Sequence, residues 1–275
     1  MLATLIIVFR EMIEAALIIG IVLTATRGVP RRGAWVVYGV MAGLLGSCMV
    51  AGFADGISNA MEGMGQELFN VGILAFAVGM LTWHNVWMAR HGRQMAADMK
   101  AIGAAVVAGK RSLIALSIVV GVAVLREGAE VVLFLYGISV SGQESTGMIA
   151  LGAVLGAMLG GVIGVVMYMG LLRVPVRSLF AVTSWMIALL AAGMAAQAAA
   201  LLEQAQVLTA FSSVVWNSSG FIDSGSVIGK VLHTLIGYTD RPTGMQLMVY
   251  SATLIVIFTL MRLFGKAPRA VQAHA

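Results

Sequence analysis

Long apolar runs separated by shorter polar intervals dominate the chain. They cover residues 2–26, 34–54, 68–88, 113–138, 148–172, 179–202 and 245–264. Each is long enough to cross about 30 Å of hydrocarbon as a helix. The pattern predicts an all-α integral membrane protein with seven transmembrane helices. Two intervals exceed a turn. Residues 89–112 are basic and partly amphipathic and predict a solvated or interfacial connector. Residues 203–243 predict a segment packed as short helices over one mouth of the bundle.

Charge interrupts two of the runs. Arg10, Glu11 and Glu14 lie in the first, and Arg126, Glu127 and Glu130 lie in the fourth, so the pattern R-E-x-x-E recurs at an offset of 116. A charge at the centre of a membrane helix costs about 2.5–3.5 kcal/mol on insertion scales, so such residues face a bundle interior and have a task there. Other features recur in step. Gly39 and Gly43 of the second run match Gly152 and Gly156 of the fifth at an offset of 113, and Gly79-Met80 matches Gly193-Met194 at 114. Glycines four apart form a helix face that admits a close neighbour. Three spans therefore repeat in order, with repeat 1 over 1–88, a connector over 89–112 and repeat 2 over 113–202. The segment 203–243 and a seventh span, 244–264, stand outside the repeat. An odd number of spans per unit sends the second copy through the membrane in the opposite sense. Such inverted-topology repeats hold substrate near the midplane, at the repeat interface.

Composition agrees, with 60% hydrophobic and 11% charged residues and a net charge of +5. The basic residues sort by side. Arg27, Arg31, Arg32, Arg90, Arg93, Lys100, Lys110, Arg111, Arg173, Arg177, Arg262, Lys266 and Arg269 fall in alternate loops and the C-terminal tail, against Lys230 and Arg241 opposite. Basic loops stay cytoplasmic, which puts the N-terminus outside and the C-terminus inside. This sorting accounts for the positive charge and leaves no role for nucleic acid. Acidic residues fall mostly outside, so Glu62, Glu67 and Asp223 are candidates for cation capture at the outer surface. Cys48 lies within a span and excludes an intramolecular disulfide. No G-x-x-x-x-G-K-[ST] occurs, so the chain is expected to hydrolyse no ATP itself.

At about 100° per residue, the three charges of each motif share one helix face. An i,i+4 ion pair, Arg10 with Glu14 or Arg126 with Glu130, satisfies one carboxylate per motif. Two Arg against four Glu still leave a formal charge of −2. A buried carboxylate excess takes up protons or binds a cation. Glu11, Glu14, Glu127 and Glu130 are therefore candidate ligands, with Arg10 and Arg126 orienting them, and carboxylate oxygens suit hard or borderline ions. His84, in the third span, reads as a ligand, a proton relay or a hydrogen-bonded packing residue. No cofactor is implied. Besides a metal importer, the residues permit another divalent-metal or proton-coupled carrier, or a membrane anchor for a redox partner.

Two R-E-x-x-E motifs in spans 1 and 4, followed by Gly237-Tyr238-Thr239-Asp240-Arg241-Pro242 before the last span, resemble the high-affinity iron permeases of the oxidase-dependent (iron/lead) transporter family, bacterial type. The resemblance covers essentially the whole chain. It implies iron as transported substrate, taken as Fe(III) after oxidation by a companion ferroxidase, with a periplasmic or extracellular iron-binding protein as partner. It implies a bacterial inner membrane location and makes Glu11, Glu14, Glu127 and Glu130 the iron ligands. Family members often carry a further outer E-x-x-E; the nearest match here is Glu62 and Glu67, at wider spacing.

The topology has a direct test. Cysteines placed at Ser58 and Ser145 are expected to react with an impermeant thiol reagent from outside, and one at Ala97 is not. Labelling of the opposite sidedness would overturn the assignment.

Overall fold

The computed structural model describes residues 1–60, 66–140, 145–170 and 176–264. Among the described residues the fold is all-helical: α1 (Leu2–Ala25), α2 (Arg32–Ala60), α3 (Gln66–Val107), α4 (Ile114–Val140), α5 (Thr146–Tyr168), α6 (Val176–Gln204), α7 (Val227–Ile236) and α8 (Gly244–Phe264). Arg32–Phe53, Leu68–Met88, Thr146–Tyr168, Ala181–Gln204 and Gly244–Phe264 are long and apolar enough to cross a membrane. The chain is an integral membrane protein. Helices α1 and α4 have 24 and 27 residues. They are long enough to span, but each carries three charged side chains near its middle.

Glycine faces position these two charged helices. Gly152, Gly156, Gly160 and Gly164 are the buried glycines of α5, and all four lie against α1. A Cβ at Gly156 would stand 2.6 Å from the Leu5 carbonyl oxygen, and one at Gly160 would stand 2.7 Å from Met12 Cβ. On α2, a Cβ at Gly39 would lie 2.6 Å from Ser117 O of α4, and one at Gly43 would lie 2.7 Å from Gly121 O. Each charged helix is thus gripped by a glycine face of another helix, α1 by α5 and α4 by α2. Gly128, inside the second motif, is needed for the same reason, because a Cβ there would overlap the Ser47 side chain.

Two apolar clusters lie along these helices. One joins Ala3 and Ile7 of α1 to Leu74 and Ala77 of α3, Phe134 and Ile138 of α4, Ala188 and Ala191 of α6 and Ile257 of α8. The other joins Val22, Val36, Val106, Leu116, Val120 and Val124. Along α1 the order is Ile7, then the charges, then Val22. Along α4 it is Val124, the charges, then Phe134. The charged motifs form a layer with an apolar cluster on either side.

Two expectations change here. Residues 89–107 of the expected connector continue α3 as helix, which runs 42 residues. Met99, Ile102 and Val106 recur at helical spacing and pack against the second cluster, so this stretch is docked rather than simply solvated. In the outer segment, α7 does not merely lie over the helix ends. Its C-terminal Gly237 has φ 69° and meets Gly193 of α6, where a Cβ would stand 3.0 Å from Gly237 Cα. Gly193 lies about 16 Å from the end of α6 at 1.5 Å per residue, so α7 reaches well down into the bundle. Tyr238 Oη donates to Ile222 O at 2.8 Å and Tyr250 Oη donates to Ile236 O at 2.6 Å, fixing both sides of this turn. Thr243 Oγ1 donates to Glu203, 3.0 Å from either oxygen, and ties the start of α8 to the end of α6.

The glycine grip predicts a stability difference. Gly156→Val and Gly43→Val are each expected to destabilise the detergent-solubilised protein by about 1–3 kcal/mol, because backbone cannot yield to the new methyl groups. Gly161→Ala, where a Cβ meets open space, is the control. Thermal midpoints of the three variants check this, and equal midpoints would remove the packing role.

Candidate metal-binding layer

Helix periodicity brings Arg10, Glu11 and Glu14 to one face of α1, and α5 presses α1 inward. In α4 the same geometry serves Arg126, Glu127 and Glu130. His84 comes from α3 between them. Arg10, Glu11, Glu14, His84, Glu127 and Glu130 are all buried, the first three at 1–2% exposure.

The two motifs differ in their internal pairing. Arg10 donates from Nη1 to Glu11 Oε1 at 3.1 Å and pairs through Nη2 with Glu14 Oε1 at 2.9 Å. Arg126 donates from Nε to Glu130 Oε1 at 3.0 Å. Its guanidinium carbon sits 4.0 Å from the centroid of the Trp87 ring. Its side chain is 32% exposed, whereas that of Arg10 is 1% exposed. Among the described residues, both oxygens of Glu127 and Oε2 of Glu11 are buried without a hydrogen-bond donor.

His84 links the halves. Its Nε2 lies 3.7 Å from Glu14 Oε1, and its Nδ1 pairs with Glu130 Oε2. The next residue, Asn85, donates from Nδ2 to Ser184 O at 3.0 Å and holds α3 against α6. Each of Glu11, Glu14 and His84 offers a ligand atom within 4.8 Å of the others, and the same holds for Glu11, Glu127 and Glu130. Glu11 belongs to both groups. Side-chain oxygens and an imidazole nitrogen at this separation can converge on one cation, or pass it between two adjacent positions.

The four motif glutamates and two arginines expected from the sequence therefore meet in one layer, and His84 joins them. Trp87 and Asn85 were not singled out by the sequence. Trp87 follows His84 by three positions and shares its helix face, which is the signal that would have pointed to it. Of the three candidates for outer capture, Asp223 has a described side chain, and it does not join the layer. Glu62 lies outside the described residues, as does the side chain of Glu67. Asp223 is exposed in the turn before α7, where its Oδ1 accepts from Gly225 N at 2.7 Å.

A carboxylate-rich layer inside membrane-length helices makes the chain a membrane protein with a candidate cation site. Residues 1–268 match the Iron permease FTR1 family. Among curated proteins, the chain is similar to the ferrous iron permease EfeU of Yersinia pestis, 30% identical over 282 residues that cover 100% of this chain and 97% of that protein. It is also similar to the ferrous iron permease EfeU of Shigella sonnei strain Ss046, 29% identical over 275 residues, 98% of this chain and 97% of that protein. No solved structure matches. The chain belongs to the FTR1 iron permease family. It is an iron transporter, not an enzyme.

Burial predicts unequal roles for the two arginines. Arg10→Met strands Glu11 and Glu14 in an apolar environment, a change that costs about 3–5 kcal/mol when a buried pair is broken. Arg126→Met, at a more exposed site, is expected to cost less. Unfolding midpoints of the two variants in detergent measure the difference, and a larger loss for Arg126→Met would contradict it.

Proposed function

We propose that iron is imported through the charged layer, with Glu11, Glu14, Glu127, Glu130 and His84 replacing the ion's hydration shell and Arg10 and Arg126 keeping the empty layer tolerable. One observation carries this reading: carboxylates from two separate helices converge in an apolar interior, with more negative than positive groups and with oxygens that receive no hydrogen bond. An ion pair alone would leave no such excess. A cation resolves it, because the carboxylate charge offsets the loss of the ion's water.

The pairing of helices supports inverted repeats within a seven-span chain. Helix α1 packs on α5 as α4 packs on α2, and α3 meets α6. These are the exchanges expected when the copies are related by a two-fold axis in the membrane plane. On this reading α1 and α4 also span, their charges facing inward. The protein sits in a bacterial inner membrane with its N-terminus outside, and Glu62, Glu67 and Asp223 raise the local cation concentration at the outer surface.

The ion is Fe(III), delivered after oxidation by a companion ferroxidase through an outer iron-binding protein. The hardness of four carboxylates and the oxidase-dependent resemblance of the motifs support this state. A second reading takes Fe(II). The named relatives are ferrous iron permeases, and a divalent ion would cancel the formal −2 of four Glu and two Arg. Initial-rate uptake of radiolabelled iron into proteoliposomes separates the two. The first reading expects uptake under oxidising conditions with ferric iron, and uptake only with ascorbate-reduced iron would establish the second.

The ligand assignment has its own test. Glu14→Gln and Glu130→Gln are each expected to abolish uptake with the protein still inserted, Glu11→Gln and Glu127→Gln nearly so, and the corresponding Glu→Asp changes also to fail. The double change Arg10→Ala with Glu14→Ala removes an ion pair together. Near-normal uptake by that variant would reduce Glu14 to a pairing role.

A further inference from the structure

The two R-E-x-x-E motifs are alike in sequence but not in the way their arginines are used. In the first, Arg10 contacts both glutamates of its own motif, at 3.1 Å to Glu11 and 2.9 Å to Glu14. This shows that an arginine in this setting can reach the carboxylate next to it in sequence. In the second, Arg126 pairs with Glu130 but makes no ion pair with Glu127. Its guanidinium instead lies over the Trp87 ring, 4.0 Å from the centroid. Glu127 is buried at 3% exposure, takes no hydrogen bond from Arg126, and has Glu11 as its near neighbour in the layer. At the repeat offset of 114, the position matching Trp87 is Leu201, which has no aromatic face. Among the described residues a cation–π contact is seen for Arg126, which pairs with one glutamate of its motif, and not for Arg10, which pairs with both.

We propose that Trp87 is a positioning residue for iron capture: its ring holds the Arg126 guanidinium away from Glu127, so that the Glu127 carboxylate faces the layer with its full charge available to the ion. This rests on the reading that the layer binds iron. The physical basis is competition for one cation. An aromatic face attracts a guanidinium without consuming a carboxylate, and the attraction strengthens as the pair is removed from water. Without the ring, Arg126 is free to fold onto Glu127 as Arg10 does onto Glu11. An arriving ion would then have to displace it. The loss falls on binding, since the carboxylates that complete the passage are unchanged.

The test uses the full-length protein, both purified in detergent for equilibrium iron binding and reconstituted in proteoliposomes for uptake. Trp87→Leu and Trp87→Met, which both remove the ring and differ in side-chain shape, are expected to raise the half-saturating iron concentration about five- to thirtyfold. Maximal rate is expected to change less than about twofold, a margin well below one power of ten in equilibrium terms. Trp87→Phe and Trp87→Tyr retain a ring face and are expected to restore most of the affinity. Trp83→Leu, on the same helix but 69% exposed, is expected to behave as the unchanged protein. Equal loss in the Phe and Leu variants would mark Trp87 as packing and overturn the proposal, as would wild-type affinity in both Leu and Met variants. Glu127→Gln measured alongside separates the two levels. If it leaves iron binding unchanged, the ligand reading itself fails. If it abolishes binding while the Leu and Met variants at Trp87 bind normally, only the positioning role fails.

Discussion

The arrangement depends on one constraint: four carboxylates and the Arg10 guanidinium are buried in a largely apolar interior, with the partly exposed Arg126 beside them. Isolated ionised groups there would be prohibitively expensive, so the surrounding structure must hold them in mutual contact. The glycine faces of α5 and α2 do this by letting the backbones of α1 and α4 approach closely. Apolar clusters lie on either side of the layer. Removing the glycines would separate the charged helices before it disturbed any charged residue.

The internal pairing is unequal in the two copies, and that inequality matters for a protein that must release what it binds. A layer in which every carboxylate was matched by a donor would be stable and inert. One in which none was matched would be too costly to fold. Here Arg10 pairs with both glutamates of its motif from a sealed position, while Arg126, partly exposed and stacked on Trp87, pairs with Glu130 and not with Glu127. His84 adds a third element, and the position 114 residues on is Ala198, which cannot act in the same way. Conduction requires sites favourable enough to enter and weak enough to leave. Adjacent donor groups of unequal commitment, sharing Glu11, are suited to that requirement.

The segment before α8 is held by contacts of its own. Gly237 meets Gly193 inside the helix bundle, and Tyr238, Tyr250 and the Glu203–Thr243 contact fix the turn around it. The motif Gly-Tyr-x-x-x-Pro before the last helix is thereby a packing device. It seats a short helix against α6, where a side chain larger than glycine on either partner would prevent contact.

Much of this was legible in the sequence because hydrocarbon imposes strong rules. Apolar length marks helices, a charge within such a run must face inward, glycines at four-residue spacing must face a neighbour, and recurrence at a near-constant offset shows which features correspond. These rules identified Arg10, Glu11, Glu14, Arg126, Glu127 and Glu130 and the helices that carry them. They could not decide His84, since a lone buried imidazole is compatible with packing or ligation until its neighbours are known. The sequence also read residues 89–112 as a solvated or interfacial connector, and it could not show where Met99, Ile102 and Val106 dock, because their partners lie on other helices. Only the tertiary structure put His84 between Glu14 and Glu130, and only it set Trp87 beneath Arg126. Those contacts depend on how α3 crosses α1 and α4, a matter of three-dimensional approach that spacing along one chain does not encode.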